Sequence, residues 1–204
     1  MSGPPRFVDV QRVVETGSTN SDLLALARQG APEGTVLVAD HQTAGRGRMG
    51  RTWEAPPGSS LLVSVLLRPP VEVADLVTMV AGLAMADAVG PEVRLKWPND
   101  LVIDDRKLAG LLAEADWSGG GQSPAVVVGI GVNVAWAPEG AVACGGDREE
   151  LLASFLTALD ARYGELVATG DRAAVLAAWR TRSATLGRRV RVQRGGGEIE
   201  GTAV

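Results

Sequence analysis

The sequence predicts an α+β fold, on three observations. Apolar runs that alternate or are rich in β-branched residues come in clusters joined by tight-turn residues. Segments with helical apolar spacing are interspersed among them. The two kinds do not alternate in the strict strand–helix rhythm of a doubly wound parallel sheet.

The elements follow in order. Residues 7–14 alternate for most of their length and read as a strand. Thr16-Gly17-Ser18-Thr19-Asn20 offers N-caps before Leu23, Leu24 and Leu26, with Gly30 as a stop, which makes a short helix. Residues 35–40 and 61–67 are strands, the second apolar enough to be buried on both faces. The intervening loop, 42–60, is rich in Gly, Arg and Pro, and loops of that length inside a compact domain are functional or disordered. Residues 73–89 have helical spacing and end at Gly90-Pro91. Short strands are expected at 93–97, 101–103 and 107–115, with Asp104-Asp105 as a tight turn. Residues 118–122 look like a hairpin connection into a strongly β-branched strand at 125–134. Helices follow at 148–167 and 172–186. Residues 189–193 alternate, Gly195-Gly196-Gly197 turns, and 199–204 alternate again. Two strands alone are marginal, so this hairpin packs on the main domain or belongs to a small β-module that the sequence leaves unfinished.

The 204 residues suit one substantial domain with a small appendage. With 46% hydrophobic and 22% charged residues and a net charge of -4, disorder, a collagenous repeat and a nucleic-acid-coating surface are poor readings. No apolar run is long enough to span a bilayer and no signal peptide opens the chain, so a cytoplasmic protein without membrane contact is the default expectation. His41 and Cys144 are the only residues of their kinds, which leaves neither a disulfide framework nor a zinc site of Cys and His, and we read both as structural. Of the 20 basic residues only Lys96 and Lys107 are lysines, leaving 18 arginines, and both lysines fall in one short stretch.

The loop reads Gln42-Thr43-Ala44-Gly45-Arg46-Gly47-Arg48-Met49-Gly50-Arg51-Thr52-Trp53. Gly45, Gly47 and Gly50 form a nominal G-x-G-x-x-G, but Arg51-Thr52-Trp53-Glu54-Ala55-Pro56-Pro57 is a poor helix start, so the dinucleotide fingerprint lacks its helix. Arg46, Arg48 and Arg51 among glycines suit a polyphosphate or carboxylate better, with Trp53 available to cover a ring. A solvated flexible loop and an RNA-binding Arg-Gly segment are the alternatives, the latter opposed by the negative net charge.

Lys96-Trp97-Pro98-Asn99-Asp100 ends a strand at a sharp turn, where a lysine can present a compact charge to a cleft or simply lie at the surface. Gly17-Ser18-Thr19-Asn20 supplies polar groups at a helix start, for a ligand or for capping. Arg106-Lys107-Leu108-Ala109-Gly110 sits at a hairpin edge, with an exposed edge lysine as the bland reading. Gly129-Ile130-Gly131-Val132-Asn133 puts two glycines on one face of a buried strand, inviting something flat against them or marking a bulge.

In this combination and order the segments resemble the biotin protein ligases, over about residues 10–204. The resemblance implies a mixed β-sheet flanked by helices, of the kind shared with class II aminoacyl-tRNA synthetases and lipoate ligases, over residues 1–187. It also implies the start of a small SH3-like β-barrel over 188–204, apparently cut short. The form implied has no N-terminal DNA-binding domain, so neither a repressor role nor a nucleic-acid partner is expected. The implied activity joins biotin and ATP, with Mg²⁺ arriving on the nucleotide and no metal site in the protein alone, into biotinyl-5′-adenylate. Biotin then passes to a lysine on the carrier domain of a biotin-dependent carboxylase. Carried over by position, Lys96 and Arg48 are the catalytic residues. The biotin contacts would be Ser18, Thr19, Asn20, Gln42, Gly45, Arg46, Gly47, Arg48, Lys96, Gly110, Gly129 and Gly131, with the last two as a floor. The ATP or adenylate contacts would be Arg48, Arg51, Trp53, Asn99, Lys107 and Asn133. Members of the family often carry another basic residue where this chain has Met49. A lipoate or octanoyl ligase on the same fold is the enzymatic alternative, and a non-catalytic Arg-loop module the other.

Overall fold

The computed structural model describes residues 4–117, 123–194 and 197–204. The expected connection at 118–122 and part of the expected turn at Gly195-Gly196 lie outside them. Strands β1 (Val10–Thr16), β2 (Val36–Gln42), β3 (Ser60–Leu67), β4 (Arg94–Lys96), β5 (Asp100–Ile103), β6 (Arg106–Asp116) and β7 (Ala125–Asn133) form one sheet, in the order β1-β2-β3-β7-β6-β5-β4. β1 pairs β2 in parallel and every other ladder is antiparallel, so the sheet is mixed.

Helix α1 (Thr19–Arg28) makes the crossover between the parallel pair and lies on one face, burying Leu23, Leu24 and Ala27 against Leu37, Leu66 and Val127. α2 (Val77–Val89), α3 (Arg148–Thr169) and α4 (Arg172–Thr181) cover the other face. α2 is buried over Val80–Ala86 and apolar nearly all round, as befits a helix between a sheet and other helices. Asp147 caps α3, accepting from the Glu149 and Glu150 amides at 2.8 and 3.0 Å. Gly170 closes that helix in a left-handed conformation, φ 65°.

Several boundaries differ from the sequence reading. The first strand begins at Val10 because Phe7 turns into the main core. The helix expected from 73 opens as a 3₁₀ turn, Val71–Leu76, before α2. α4 stops at Thr181, five residues short of the expected 186, because the following chain pairs with β4: Leu95 donates to the Arg182 carbonyl at 2.8 Å and Ala184 donates to Leu95 at 2.9 Å. β8 (Arg189–Arg194) and β9 (Gly197–Thr202) pair antiparallel in a separate two-stranded sheet.

Candidate active site

Strand alternation decides what the site is made of. Val63, Val65, Val128 and Ile130 point into the core beneath α2 and α3. The alternate residues face α1 and the loop, and there the registers Ser64↔Gly129↔Leu112 and Leu62↔Gly131↔Gly110 run across β3, β7 and β6. Glycines in both rows leave the sheet bare of side chains at its centre.

The hollow is filled by two of the protein's own side chains. A Cβ on Gly131 would lie 2.5 Å from Trp53 Cε2, and one on Gly110 3.3 Å from Trp53 Cζ3, so the indole lies flat across this glycine pair. A Cβ on Gly129 would collide with the Asn20 amide. Something flat does cover the glycines, as the sequence suggested. What lies against them is Trp53 and Asn20, and the floor read for a ligand is in the first place a seat for these residues.

The loop that carries Trp53 is folded as a miniature hairpin. Trp53 donates to the Gly45 carbonyl at 2.9 Å, Arg46 and Thr52 form an antiparallel bridge, and Gly47 donates to Arg51 at 2.6 Å. Met49 turns the tip with φ 61°, a left-handed conformation unusual for its type, and its side chain is exposed. Gly45 is buried beneath this ladder and does not line the cleft.

One cleft collects most of the expected residues. Ser18, Thr19 and Asn20 come from the start of α1, and Gln42 from the end of β2. Arg46, Gly47, Arg48, Arg51 and Trp53 come from the loop hairpin, and Asn99 from the β4–β5 turn. Lys107 and Gly110 line it from β6, Gly129 and Gly131 from β7. Asn99 is clamped in place, its side-chain amide donating to the Leu111 carbonyl at 2.8 Å and its own carbonyl accepting from Leu111 at 2.8 Å.

Besides Gly45, two expected residues lie outside the cleft lining. Lys96 ends β4 with its side chain exposed. Asn133 is buried, its amide donating to the Lys107 and Val142 carbonyls at 3.3 and 3.2 Å. It thereby ties the chain near residue 142 to β6 and the end of β7.

The cleft has a polar end and a cationic end, with Trp53 between. At the polar end Thr19, Asn20 and Ser64 are buried. Gln42 Oε1 accepts from the Thr19 amide at 2.8 Å. Asn20 donates to the Leu112 carbonyl at 3.0 Å and to Glu114 at 2.9 Å. Glu114 also accepts from Arg46 at 2.9 Å, and Arg46 donates to Ser21 at 2.9 Å. At the other end Lys107 Nζ is 2.8 Å from Asp100 and 5.5 Å from the Trp53 ring centroid.

The charges are thus distributed unevenly. Arg46 is matched by Glu114 and Lys107 by Asp100. Arg48, Arg51 and Lys96 have no carboxylate partner among the described residues, so the free positive charge sits at the loop tip and the end of β4. Trp53 Nε1 is buried without an acceptor among the described residues, and an occupant of the cleft could supply one.

Ser64 and Glu114 take part in this arrangement and were not singled out from sequence. Ser64 carried a signal, as a hydroxyl in the middle of the otherwise apolar Leu61–Leu67 run. Glu114 carried none, being an ordinary charge near a strand end. Burial pushes the Cys144 thiol above its ordinary value, and His41 Nδ1 rests 2.9 Å from Glu15, which agrees with reading both as structural.

Fold and cleft together define a class: a mixed-sheet domain with one cleft, a buried hydrogen-bonding cluster at one end of it and a lysine at the other, under an arginine-bearing loop. The comparisons narrow it. The family model described as the biotin/lipoate A/B protein ligase family matches residues 11–133. A biotin–[acetyl-CoA-carboxylase] ligase of Mycobacterium tuberculosis is 41% identical over 216 residues, covering 95% of this chain and 77% of that protein. Another, from Paracoccus denitrificans, is 38% identical over 212 residues, covering 93% and 87%. The solved biotin protein ligase from Aquifex aeolicus in complex with biotin and ATP superposes with a TM-score of 0.81 at 29% identity, over 96% of this chain and 87% of that one. The chain belongs to the biotin/lipoate A/B protein ligase family.

Proposed function

We propose that the two ends of the cleft divide the binding of biotin and ATP, with the ring of biotin at Thr19, Asn20 and Gln42 and the nucleotide toward Asn99 and Lys107. The enzyme is an ATP-dependent biotin protein ligase. It activates biotin to biotinyl-5′-adenylate with release of pyrophosphate, then transfers biotin to a lysine of a carboxyl carrier protein. The observation that carries the assignment of ends is the buried amide and hydroxyl cluster beside Gly129, separated by the Trp53 ring from the cationic side. A cyclic urea matches such a cluster, whereas the dithiolane of lipoate or an octanoyl chain would leave buried polar groups unpaired.

The chemistry follows from charge. A carboxylate and a triphosphate repel, so the step needs cations that are not already neutralised. Arg48, Arg51 and Lys96 meet that condition: the two arginines line the cleft, which suits the carboxylate and the α-phosphate, and Lys96 stands exposed at the end of β4, outside the lining. The carboxylate oxygen attacks the α-phosphorus in line and pyrophosphate departs. Mg²⁺ would neutralise the charge on the departing pyrophosphate. Among the described residues no group of three or more His, Cys, Asp or Glu could hold an ion, so its ligands would be phosphate oxygens and water with few from the protein. The mixed anhydride is sensitive to water, and the loop hairpin over the cleft is placed to exclude it until the acceptor lysine arrives.

The separate β8–β9 sheet supports reading residues 188–204 as the first hairpin of a small β-barrel appended to a catalytic domain of residues 1–187. The natural acceptor is the carrier domain of an acetyl-CoA carboxylase, and the natural compartment the cytoplasm. Among the described residues no helix is long and apolar enough to cross a membrane.

Titration calorimetry with biotin, with and without ATP, together with release of pyrophosphate, tests the reading. Biotin binding that tightens the site for ATP is expected. Absence of both heat and pyrophosphate would overturn it, and displacement of biotin by lipoate at equal concentration would move the assignment to the lipoate branch.

A further inference from the structure

The buried cluster at the polar end has a definite direction of hydrogen bonding, which follows from counting protons. Three short oxygen–oxygen contacts run through it: Ser64 to Asn20 Oδ1 at 2.7 Å, Ser64 to Thr19 at 2.7 Å, and Thr19 to Gln42 Oε1 at 3.0 Å. Only two hydroxyl protons, one each on Ser64 and Thr19, are available for three contacts.

The surroundings decide where those protons go. The Leu112 carbonyl can only accept, so the edge of Asn20 facing it must be the NH₂, and that same NH₂ also donates to Glu114. Asn20 Oδ1 therefore faces Ser64, and an amide oxygen cannot donate, so Ser64 gives its proton to Asn20. The Ser64–Thr19 contact then needs the Thr19 proton. Gln42 Oε1 is likewise fixed as an oxygen, because the Thr19 backbone N–H must donate to it. The relay runs Thr19 to Ser64 to Asn20, and the Thr19–Gln42 contact, the longest of the three, is left without a proton. Thr19 and Gln42 both line the cleft, and each retains a lone pair there for a donor from outside.

We propose that Ser64 is a positioning residue for biotin recognition: by accepting the Thr19 O–H it keeps that proton off Gln42 Oε1, so that both oxygens can accept from an N–H donor of the ligand. Ser64 is fully buried, does not line the cleft and touches no ligand itself. The inference rests on the cleft being the biotin site. Without Ser64, the Thr19 hydroxyl donates to Gln42 instead, which fills the Gln42 oxygen already bonded to the Thr19 amide and re-aims the Thr19 lone pairs.

A double-mutant cycle tests it, with biotin binding measured by calorimetry and steady-state kinetics alongside. Ser64→Ala should weaken biotin binding and raise KM for biotin about tenfold, the loss of one net hydrogen bond, with kcat at saturating biotin unchanged. Ser64→Cys, which keeps the shape with a poorer hydrogen-bonding group, should fall between and provides the readout if the alanine variant folds poorly. In the Thr19→Val background the Ser64 substitution should cost nothing further, because the oxygen it orients is gone. Equal biotin affinity for wild type and Ser64→Ala, or additive losses in the double variant, would overturn the proposal. Failure of the wild-type protein to bind biotin would instead overturn the reading of the cleft.

Discussion

Gly131→Ala puts the seat of Trp53 to a direct test. The new methyl would lie 2.5 Å from Cε2 and 2.8 Å from Cζ2 and Nε1 of the indole. Carbons in contact sit about 3.5 Å apart, so the ring has to retreat by about 1 Å. It cannot slide freely, because Gly110 lies under its far edge and the Lys107 ammonium is 5.5 Å from its centroid. Overpacking of this kind costs about 1–3 kcal/mol, and at 1.4 kcal/mol per factor of ten that lowers the population of the seated loop about 5- to 150-fold. The cost falls on the loop rather than on the core, since Gly131 faces away from the residues beneath α2 and α3. Calorimetry should therefore show biotin and ATP binding weakened within that range, while the midpoint of thermal unfolding moves by only a few degrees. In the Trp53→Ala background the same substitution should add nothing. Full affinity in Gly131→Ala, or an equal further loss in the double variant, would refute the claim that the glycine exists to seat the tryptophan.

Arg48→Ala should leave the fold intact and let the adenylate escape, seen as biotinyl-adenylate in solution and biotinylation of bystander lysines. Lys96→Ala should reduce pyrophosphate release by at least tenfold with thermal stability unchanged, because the side chain is exposed and unpaired among the described residues. Asp147→Ala removes two capping bonds to the α3 amides and should cost about 1 kcal/mol, read as a drop of about 2–4 °C in melting temperature. Tyr163 is buried and donates to Glu33 at 2.5 Å, and burial followed by that bond pushes its phenol far above the ordinary value. The folded state thus keeps a proton that the unfolded chain releases above about pH 10, so this contribution is complete below pH 10 and declines as pH rises further. Urea unfolding at pH 8 and pH 11 should show a smaller loss of stability for Tyr163→Phe than for wild type, and equal losses would refute the assignment.

The sheet strands were legible in sequence because each announces itself locally. Residues 61–67 and 125–134 are strongly apolar, and the glycine pair in the latter pointed to something flat against its face or to a bulge. Two of the expected edges that moved did so for nonlocal reasons. The last helix ends early because β4 offers hydrogen bonds to residues 182–184, and the first strand starts late because Phe7 finds the core. Neither partner is visible from the segment itself.

The site divides in the same way. The loop arginines, the residues at the start of α1 and the lysine-bearing hairpins are identifiable from residue type and order alone. Their chemistry is carried by local backbone features, a helix start and a glycine-rich turn, which short stretches of chain encode. Which charges remain free is a different matter. Arg46 and Arg48 look equivalent in the sequence, yet the fold sets Glu114 beside one and, among the described residues, no carboxylate beside the other. The glycines of β7 lie some eighty residues beyond Trp53 and more than a hundred beyond Asn20, and only sheet register brings them together. The direction of the Thr19–Ser64–Asn20 relay depends on the Leu112 carbonyl, from a fourth segment of chain. Pairing of charges, seating of rings and direction of protons are relations between distant residues, so the sequence by itself determined which groups are present and the tertiary structure decided which of them face a ligand.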